Sequence, residues 1–356
     1  MNNNYMDLNK LKVAVADNIC TKDMLTTCSS KMLEGFKSPY DATVIERLKK
    51  YGAEITGKLE IDEFNIGTGE KLAESIMSSG ANFILASDSC GSLRLAAAKC
   101  GMVGYKPTYG AVSRHGLISY ASSFDQIGAI AKTVSDAALL ISVISGHDES
   151  DAITNIDFKL DLSCVNNFNI KGKKIGVPFK NAGKNTILET YKSMGAELVD
   201  ISLPLSSNYG LPVYYILSSA EASSNLAKFD GLRYGYRTEN FSDIDSLYIN
   251  SRTEGFGDEV KKYIIAGMYV LSAEHYDEYY KKARIAMSMI KDEFKAAFEK
   301  CDVILTQIID NKDTVPANIA GLPAISLNGF QLIGKKFDDV NLIGFANAFE
   351  RERNVK

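Results

Sequence analysis

Apolar and polar positions divide the chain into short runs with alternating strand-like and helix-like character. Leu11 to Ala16 (LKVAVA) alternates and carries β-branched residues, the pattern of a strand. Asp41 is placed to cap a helix whose apolar face is Val44, Ile45, Leu48 and Tyr51, and Gly52 stops it. Strands are predicted at Ala53 to Gly57 and Phe83 to Ser87, with an amphipathic stretch from Lys71 to Ser78 between them. Thr133 and Asp136 open a further helix in capping-box fashion, and its run ALLISVI ends at Gly146. Such alternation predicts an α/β fold with a largely parallel or mixed sheet and helices packed on it.

From Asp151 to Gly172 the sequence turns polar and Asn-rich without a period, the pattern of a surface connection. It separates a first half, residues 1–150, from a second, 173–356. In the second half Lys174 to Pro178, a helix near Ile187 to Met194, and Ala196 to Ile201 form a βαβ-like unit. Leu217 to Phe229 and Asp258 to Lys300 have helical spacing, the latter long enough for two helices or one bent one, and Asp302 to Ile308 reads as a buried strand. No fixed-period repeat points to a solenoid or propeller. At 356 residues the chain could hold two domains, but mixed α/β proteins of this size often build one sheet and one core, so one large domain is expected.

Composition narrows the function classes. A net charge of -4 gives no basic surplus for gripping phosphates, so nucleic acid is expected to be reached only through another subunit. No apolar run is long enough to span a bilayer, and MNNNYMDLNK lacks a signal-peptide core, so a cytoplasmic location is expected, with no membrane partner. Cys20, Cys28, Cys90, Cys100, Cys164 and Cys301 contain no C-x-x-C pair and are expected to be reduced and mostly structural. His115, His147 and His275 lie far apart, so neither a metal site nor a Ser-His-Asp relay is expected.

The chemical centre lies in Phe83 to Gly110 (FILASDSCGSLRLAAAKCGMVGYKPTYG), where a strand passes through small residues into a helix with Ser92 at the junction. That placement projects a serine hydroxyl at the end of a sheet. The amides of the turn, Ser89, Cys90, Gly91 and Ser92 itself, could then face a developing oxyanion. A tight turn that needs small residues only for packing is the alternative. A G-x-S-x-G hydrolase elbow is disfavoured, because the turn reads SCGSL and no histidine has a plausible partner.

ASDSCGSLR followed by CGMVGYKPTYGAVSRHGLISYASSFDQIGAIAKTVSDAA resembles the amidase signature family, and more narrowly the A subunits of the aspartyl/glutamyl-tRNA amidotransferases. DNICTKDMLTTCSSKMLEGFKSPYDATVIERLKKYGAEITGK, AEASSNLAKFDGLRYGYR and SRTEGFGDEVKK extend the likeness over most of the chain. The resemblance implies a single amidase-signature domain over residues 1–356, a mixed sheet covered by helices on both sides. It also implies glutamine as substrate, with a serine attacking the amide with help from a second serine and a lysine. The freed ammonia would pass to a partner subunit that binds tRNA and uses ATP and Mg. No cofactor is implied for this chain, and B and C subunits are its implied partners.

Carried over position by position, the resemblance makes Ser92 the nucleophile and places Ala16 where the catalytic lysine belongs. Lys12 and Lys22 are close in sequence, but a strand fixes the face and depth of each side chain, so neither simply replaces it. The family's Gly-Gly-Ser-Ser-Gly-Gly-Ser loop is cut out between Phe64 and Phe83, leaving Thr68 as the candidate bridging hydroxyl, with a plain turn residue as the alternative. The arginine expected to clamp the substrate carboxylate aligns with Met287, with Arg284 on the same helix. Asp310 and Asp313 are stand-ins for the acidic partner of the substrate amine. Tyr234 matches a substrate-facing tyrosine, and Asp125 and Gln126 lie in the intact SSFDQIG loop, although packing alone also accounts for them. Trimming is expected at the amino terminus, the serine loop, the helix near Ile187, the stretch after Gln307 and the hairpin after Ser326.

Little or no glutaminase activity is the leading expectation. The alternatives are an active amidase in which Ser92, Thr68 and a relocated lysine such as Lys71 form a rebuilt relay, and a scaffold that docks a B-type subunit through RYGYR and EGFG.

Overall fold

The computed structural model describes residues 11–163, 165–178 and 186–355, so Cys164 and the MNNNYMDLNK start lie outside the described residues. The first half contains β1 (Lys12–Ala16), α1 (Thr43–Lys50), β2 (Glu54–Leu59), α2 (Glu70–Ser79), β3 (Phe83–Asp88), α3 (Ser92–Lys99), β4 (Val103–Lys106), β5 (Gln126–Ala131) and α4 (Val134–Ile144). The second half contains β6 (Lys174–Val177), α5 (Thr186–Ser193), β7 (Glu197–Asp200), α6 (Pro204–Asn225), α7 (Ile244–Gly255), α8 (Asp258–Leu271), α9 (Lys281–Phe298), β8 (Val303–Gln307), α10 (Asn311–Ile319), β9 (Ala324–Leu327), β10 (Phe330–Ile333) and α11 (Asp339–Val355).

The ten strands among the described residues form one sheet in the order β2-β1-β3-β5-β4-β9-β10-β8-β6-β7. Its two wings are parallel, with β1 between β2 and β3 and β6 between β7 and β8. Its middle is antiparallel, and β4 of the first half pairs with β9 of the second, so the halves share one sheet.

Alternation along each strand sends side chains to opposite faces. Val13 and Val15 of β1 join a cluster with α1, α4, α5 and α11, whereas Ala14 and Ala16 join one with Leu72 of α2 and Leu93 of α3. In β8, Val303 and Leu305 enter the first cluster, while Ile304 enters a third, built mainly from α6, α8, α9 and α10. Helices therefore cover both faces.

Several elements depart from the sequence pattern. Ala42, not Asp41, is the N-cap of α1, because the Asp41 carboxylate instead accepts the Lys22 amide at 2.7 Å and Lys49 Nζ at 2.7 Å. Tyr51 is exposed, beyond the buried face of Val44, Ile45 and Leu48. The helix predicted from Leu217 begins at Pro204, since Ser206, Gly210, Val213 and Tyr214 already face the core through small residues that blur the period. α7 lies in a polar stretch without a helical signal and starts at a capping box between Asp243 and Ser246. A π-helical turn, Tyr276–Tyr280, separates α8 from α9. The described residues of the 151–172 segment form no strand or α-helix, but the segment is pinned by buried Phe158, Val165 and Ile170, and Asp151 pairs with Arg114 at 2.9 Å.

One buried network ties the Ser92 turn to the second half. Arg94 of α3 is fully buried and grips Asp88 at the end of β3 with Nε at 2.9 Å and Nη2 at 3.1 Å. Its remaining donors reach Gln331 Oε1 at 2.6 Å, the Thr314 carbonyl at 3.1 Å and Asn318 Oδ1. Burial works against the Asp88 carboxylate, but the Arg94 charge and hydrogen bonds outweigh it and hold the pKa below the ordinary value. Replacing Arg94 by Met strands that carboxylate, and urea unfolding should show a loss of about 3–5 kcal/mol. A loss below about 1 kcal/mol would deny the pair its anchoring role.

Candidate functional site

β3 ends at Asp88 and α3 begins at Ser92, so Ser89, Cys90 and Gly91 must turn the chain sharply. Gly91 does so at φ 97°, where a β-carbon would lie 1.9 Å from Thr314 Oγ1. Only glycine meets both demands. Gly69 is similarly constrained, since a β-carbon there would lie 2.2 Å from the Ser92 carbonyl oxygen. Ser92 lies where the two clusters on this side of the sheet meet, Cys90 belonging to one and Leu93 to the other.

The Ser92 side chain is fully buried. Its hydroxyl donates to the Ser87 backbone carbonyl at 3.3 Å and accepts Asn65 Nδ2 at 3.2 Å. Asn65 Nδ2 is also 3.0 Å from Ser87 Oγ, which receives Asn18 Nδ2 at 2.7 Å. Asn65 reaches this position because Phe64 and Asn65 both adopt left-handed backbone, with φ 52° and 63°. Asn tolerates that conformation, and burial of Phe64 between the rings of Phe229 and Phe256 holds the strained turn. The hydroxyl thus sits among amides, a second hydroxyl and a carbonyl, all neutral.

No lysine among the described residues hydrogen-bonds to Ser92. Ala16 is buried in the apolar cluster of α2 and α3, presenting a methyl where the resemblance puts an ammonium. Lys12, Lys22 and Lys71 are exposed, whereas Ser92 is not. Lys58 donates to the Ile19 carbonyl and to Thr26 Oγ1. Lys106 is buried, and burial together with the Arg94 charge pushes its pKa down to about 7, but its donors point to the Leu322 and Pro107 carbonyls. Thr68 is half-buried and makes no hydrogen bond to Ser92; Asn65 makes that contact.

The turn amides are partly engaged. Gly91 N–H donates to Asp88 Oδ1 at 2.9 Å, and the Cys90 carbonyl accepts Thr314 Oγ1 at 2.8 Å. Burial and the Asp88 charge push the Cys90 thiol up to about 12, and its Sγ contacts the Gly67 carbonyl at 2.9 Å, so it is no thiolate nucleophile. Asp125 and Gln126 are 2% and 1% exposed. Asp125 accepts the hydroxyls of Ser89 and Ser119 and the amide of Ala121, while Gln126 bonds the Gly110 amide at 3.2 Å. Tyr234 is 59% exposed, on a turn closed by the Gly231 amide and the Tyr234 carbonyl.

Met287 and Arg284 line one cavity of about 250 Å³ together with Ser123 and Phe124 of the SSFDQIG loop; Ser92 is not in its lining. Asp310 caps α10, and Asp313 returns the capping bond through one oxygen, which also accepts the Ile309 amide. No group of three His, Cys, Asp or Glu side chains among the described residues is arranged to hold a metal. Within the described residues no helix is long and apolar enough to cross a membrane. Cys20, Cys28, Cys90, Cys100 and Cys301 are free thiols.

Sequence reasoning misses Asn18, Asn65 and Ser87, which complete the hydrogen bonds around Ser92. Asn18 follows Ala16 by two positions in the DNI motif, which is a usable signal. Asn65 offers none.

Comparison with family models matches the family described as Amidase over residues 6–71 and 73–312. The glutamyl-tRNA(Gln) amidotransferase A subunit of Caldanaerobacter subterraneus subsp. tengcongensis is 42% identical over 411 residues, covering 98% of this chain and 84% of that protein. A second such protein, one of the glutamyl-tRNA(Gln) amidotransferase A subunits of Clostridium acetobutylicum, is 44% identical over 407 residues, covering 96% of this chain and 85% of that protein. Both alignments are longer than the 356 residues of this chain, so these relatives carry segments that it lacks. The crystal structure of the glutamyl-tRNA(Gln) amidotransferase A subunit from Thermotoga maritima matches with a TM-score of 0.77 at 34% identity, covering 96% of this chain and 83% of that one. Native peptide amidase from Stenotrophomonas maltophilia shares the fold, with a TM-score of 0.78 at 21% identity, covering 96% and 82%.

Burial pushes the Asp125 carboxyl up to about 6, although its three donors pull it down. Its unfolded value is about 3.9. Across the window from about pH 4 to 6 the folded chain holds a proton that the unfolded chain has released, so this group's stabilising contribution is full below about pH 4 and falls as pH rises through about 6. Urea midpoints of the protein relative to Asp125→Asn should fall across that window, and a relative rise would contradict the assignment.

Proposed function

The chain belongs to the Amidase family, and from that premise we propose that it is a relative of the glutamyl-tRNA(Gln) amidotransferase A subunits that keeps their fold but hydrolyses glutamine weakly or not at all. Identities of 42% and 44% to proteins so named support the subfamily. The observation carrying the loss of activity is the Ser92 hydroxyl itself, which gives its hydrogen to the Ser87 carbonyl.

Attack on an amide needs that proton removed as the oxygen bonds to carbon. A backbone carbonyl accepts a hydrogen bond but does not take up the proton at neutral pH, and Asn65 is itself a donor to Ser92. The resemblance gives this role to a lysine acting through a second serine; here Ala16 carries a methyl, and the side chain that reaches the Ser92 hydroxyl is the Asn65 amide. A base and its relay act as a unit, so the loss is on the order of 10⁴ to 10⁶ in rate. Ser92 is the vestigial nucleophile, Ser89, Cys90 and Gly91 a partly occupied oxyanion turn, and Thr68, Asp125, Gln126 and Tyr234 remnants of the relay and substrate wall.

The chain then acts in the cytoplasm as a scaffold for B- and C-type subunits, which use ATP and Mg and contact tRNA. The outward Tyr234, with exposed Leu232 and Phe241 nearby in sequence, favours docking through this surface.

The test is ammonia release from glutamine, with and without B and C subunits, for the protein and for Ser92→Ala. Equal rates are expected. A rate for the unaltered protein about tenfold or more above the variant would establish an active serine and overturn the proposal.

A further inference from the structure

The cavity beside α9 has a charge pattern that an amino-acid amide does not explain. Arg284, Met287 and Lys291 recur at helical spacing, so one face of α9 presents two cations to it. Lys336, from the segment after β10, supplies a third. Glu221 of α6 is the one acid among the described residues lining it, and its Oε2 already accepts the Ser123 amide at 2.9 Å. Tyr280 contributes a ring and Asn318 an amide to the wall.

A zwitterionic ligand such as glutamine asks for cations and acids in equal number. This lining offers three cations against one acid. The crowding of like charge registers on Lys291, whose pKa is lowered by burial first and then by Lys336 and Arg284. An anion between these side chains would relieve that repulsion and receive charge-assisted hydrogen bonds, in forked geometry from Arg284. The volume, about 250 Å³, suits a small molecule.

We propose that this cavity binds a small polyanion bearing carboxylate or phosphate groups, held by Arg284, Lys291 and Lys336. The site goes beyond the reading of Ser92 and does not depend on whether that serine is active. Arg284 and Lys336 are exposed and the Lys291 side chain also reaches solvent although it is partly desolvated, so binding is salt-sensitive.

Isothermal titration of the full chain with citrate, pyrophosphate and glutamine, at about 20 mM and about 150 mM salt, tests it. Saturable one-site binding of citrate or pyrophosphate is expected, weaker at the higher salt and tighter than that of glutamine. Lys336→Gln and Arg284→Gln should each weaken it about tenfold. The tighter of the two probes identifies the group as carboxylate or phosphate. Unaltered unfolding midpoints without ligand check that both variants fold. The proposal fails if neither polyanion saturates the protein, if the double variant binds undiminished, or if glutamine binds as tightly.

Discussion

A charged pair buried away from water, Asp88 with Arg94, fixes the turn on which Ser92 stands. Asp88 closes β3 and also receives the Gly91 amide, so the same carboxylate orients the first residue before the serine. Arg94 extends the restraint to Thr314, Asn318 and Gln331, which belong to the other half of the chain. A buried pair of this kind contributes modest net stability when intact but is costly to break, so it specifies geometry more than it adds strength. The serine turn is consequently tied both to the end of β3 and to the second half of the chain.

That anchoring is architectural and distinct from catalysis. The methyl of Ala16 packs with Leu72 and Leu93 in an apolar layer that an ammonium would have to enter, and the amides of Asn18 and Asn65 fill out a neutral set of hydrogen bonds around Ser87 and Ser92. Each of these contacts suits a folded core. None moves a proton. The fold is held by the two-sided sheet and by the Asp88 network.

The strands of the parallel wings are legible in the sequence because β-branched residues alternate there or form short apolar runs, and the helices α1, α2 and α4 because their apolar faces and stop signals agree. β4, β9 and β10 are not, being four residues long and largely buried, with too little length to show a period. Ser92 is legible from its strand-to-helix junction. Its neighbours are not, because Asn65 arrives from 27 positions away through two left-handed residues, a conformation no propensity marks for Phe64. The Asp41 cap fails for a similar reason: a distant amide, that of Lys22, competes for the carboxylate. Asp125 and Gln126, expected as substrate contacts, direct their side chains into hydrogen bonds with Ala121 and Gly110, a role the sequence does not mark.

The most direct test of the central claim is the reactivity of the serine toward a fluorophosphonate, followed by intact mass and peptide mapping. A hydroxyl hydrogen-bonded only to neutral groups predicts no adduct at Ser92 after prolonged exposure. Stoichiometric labelling there, absent in Ser92→Ala, would contradict it and require a base that reaches the oxygen.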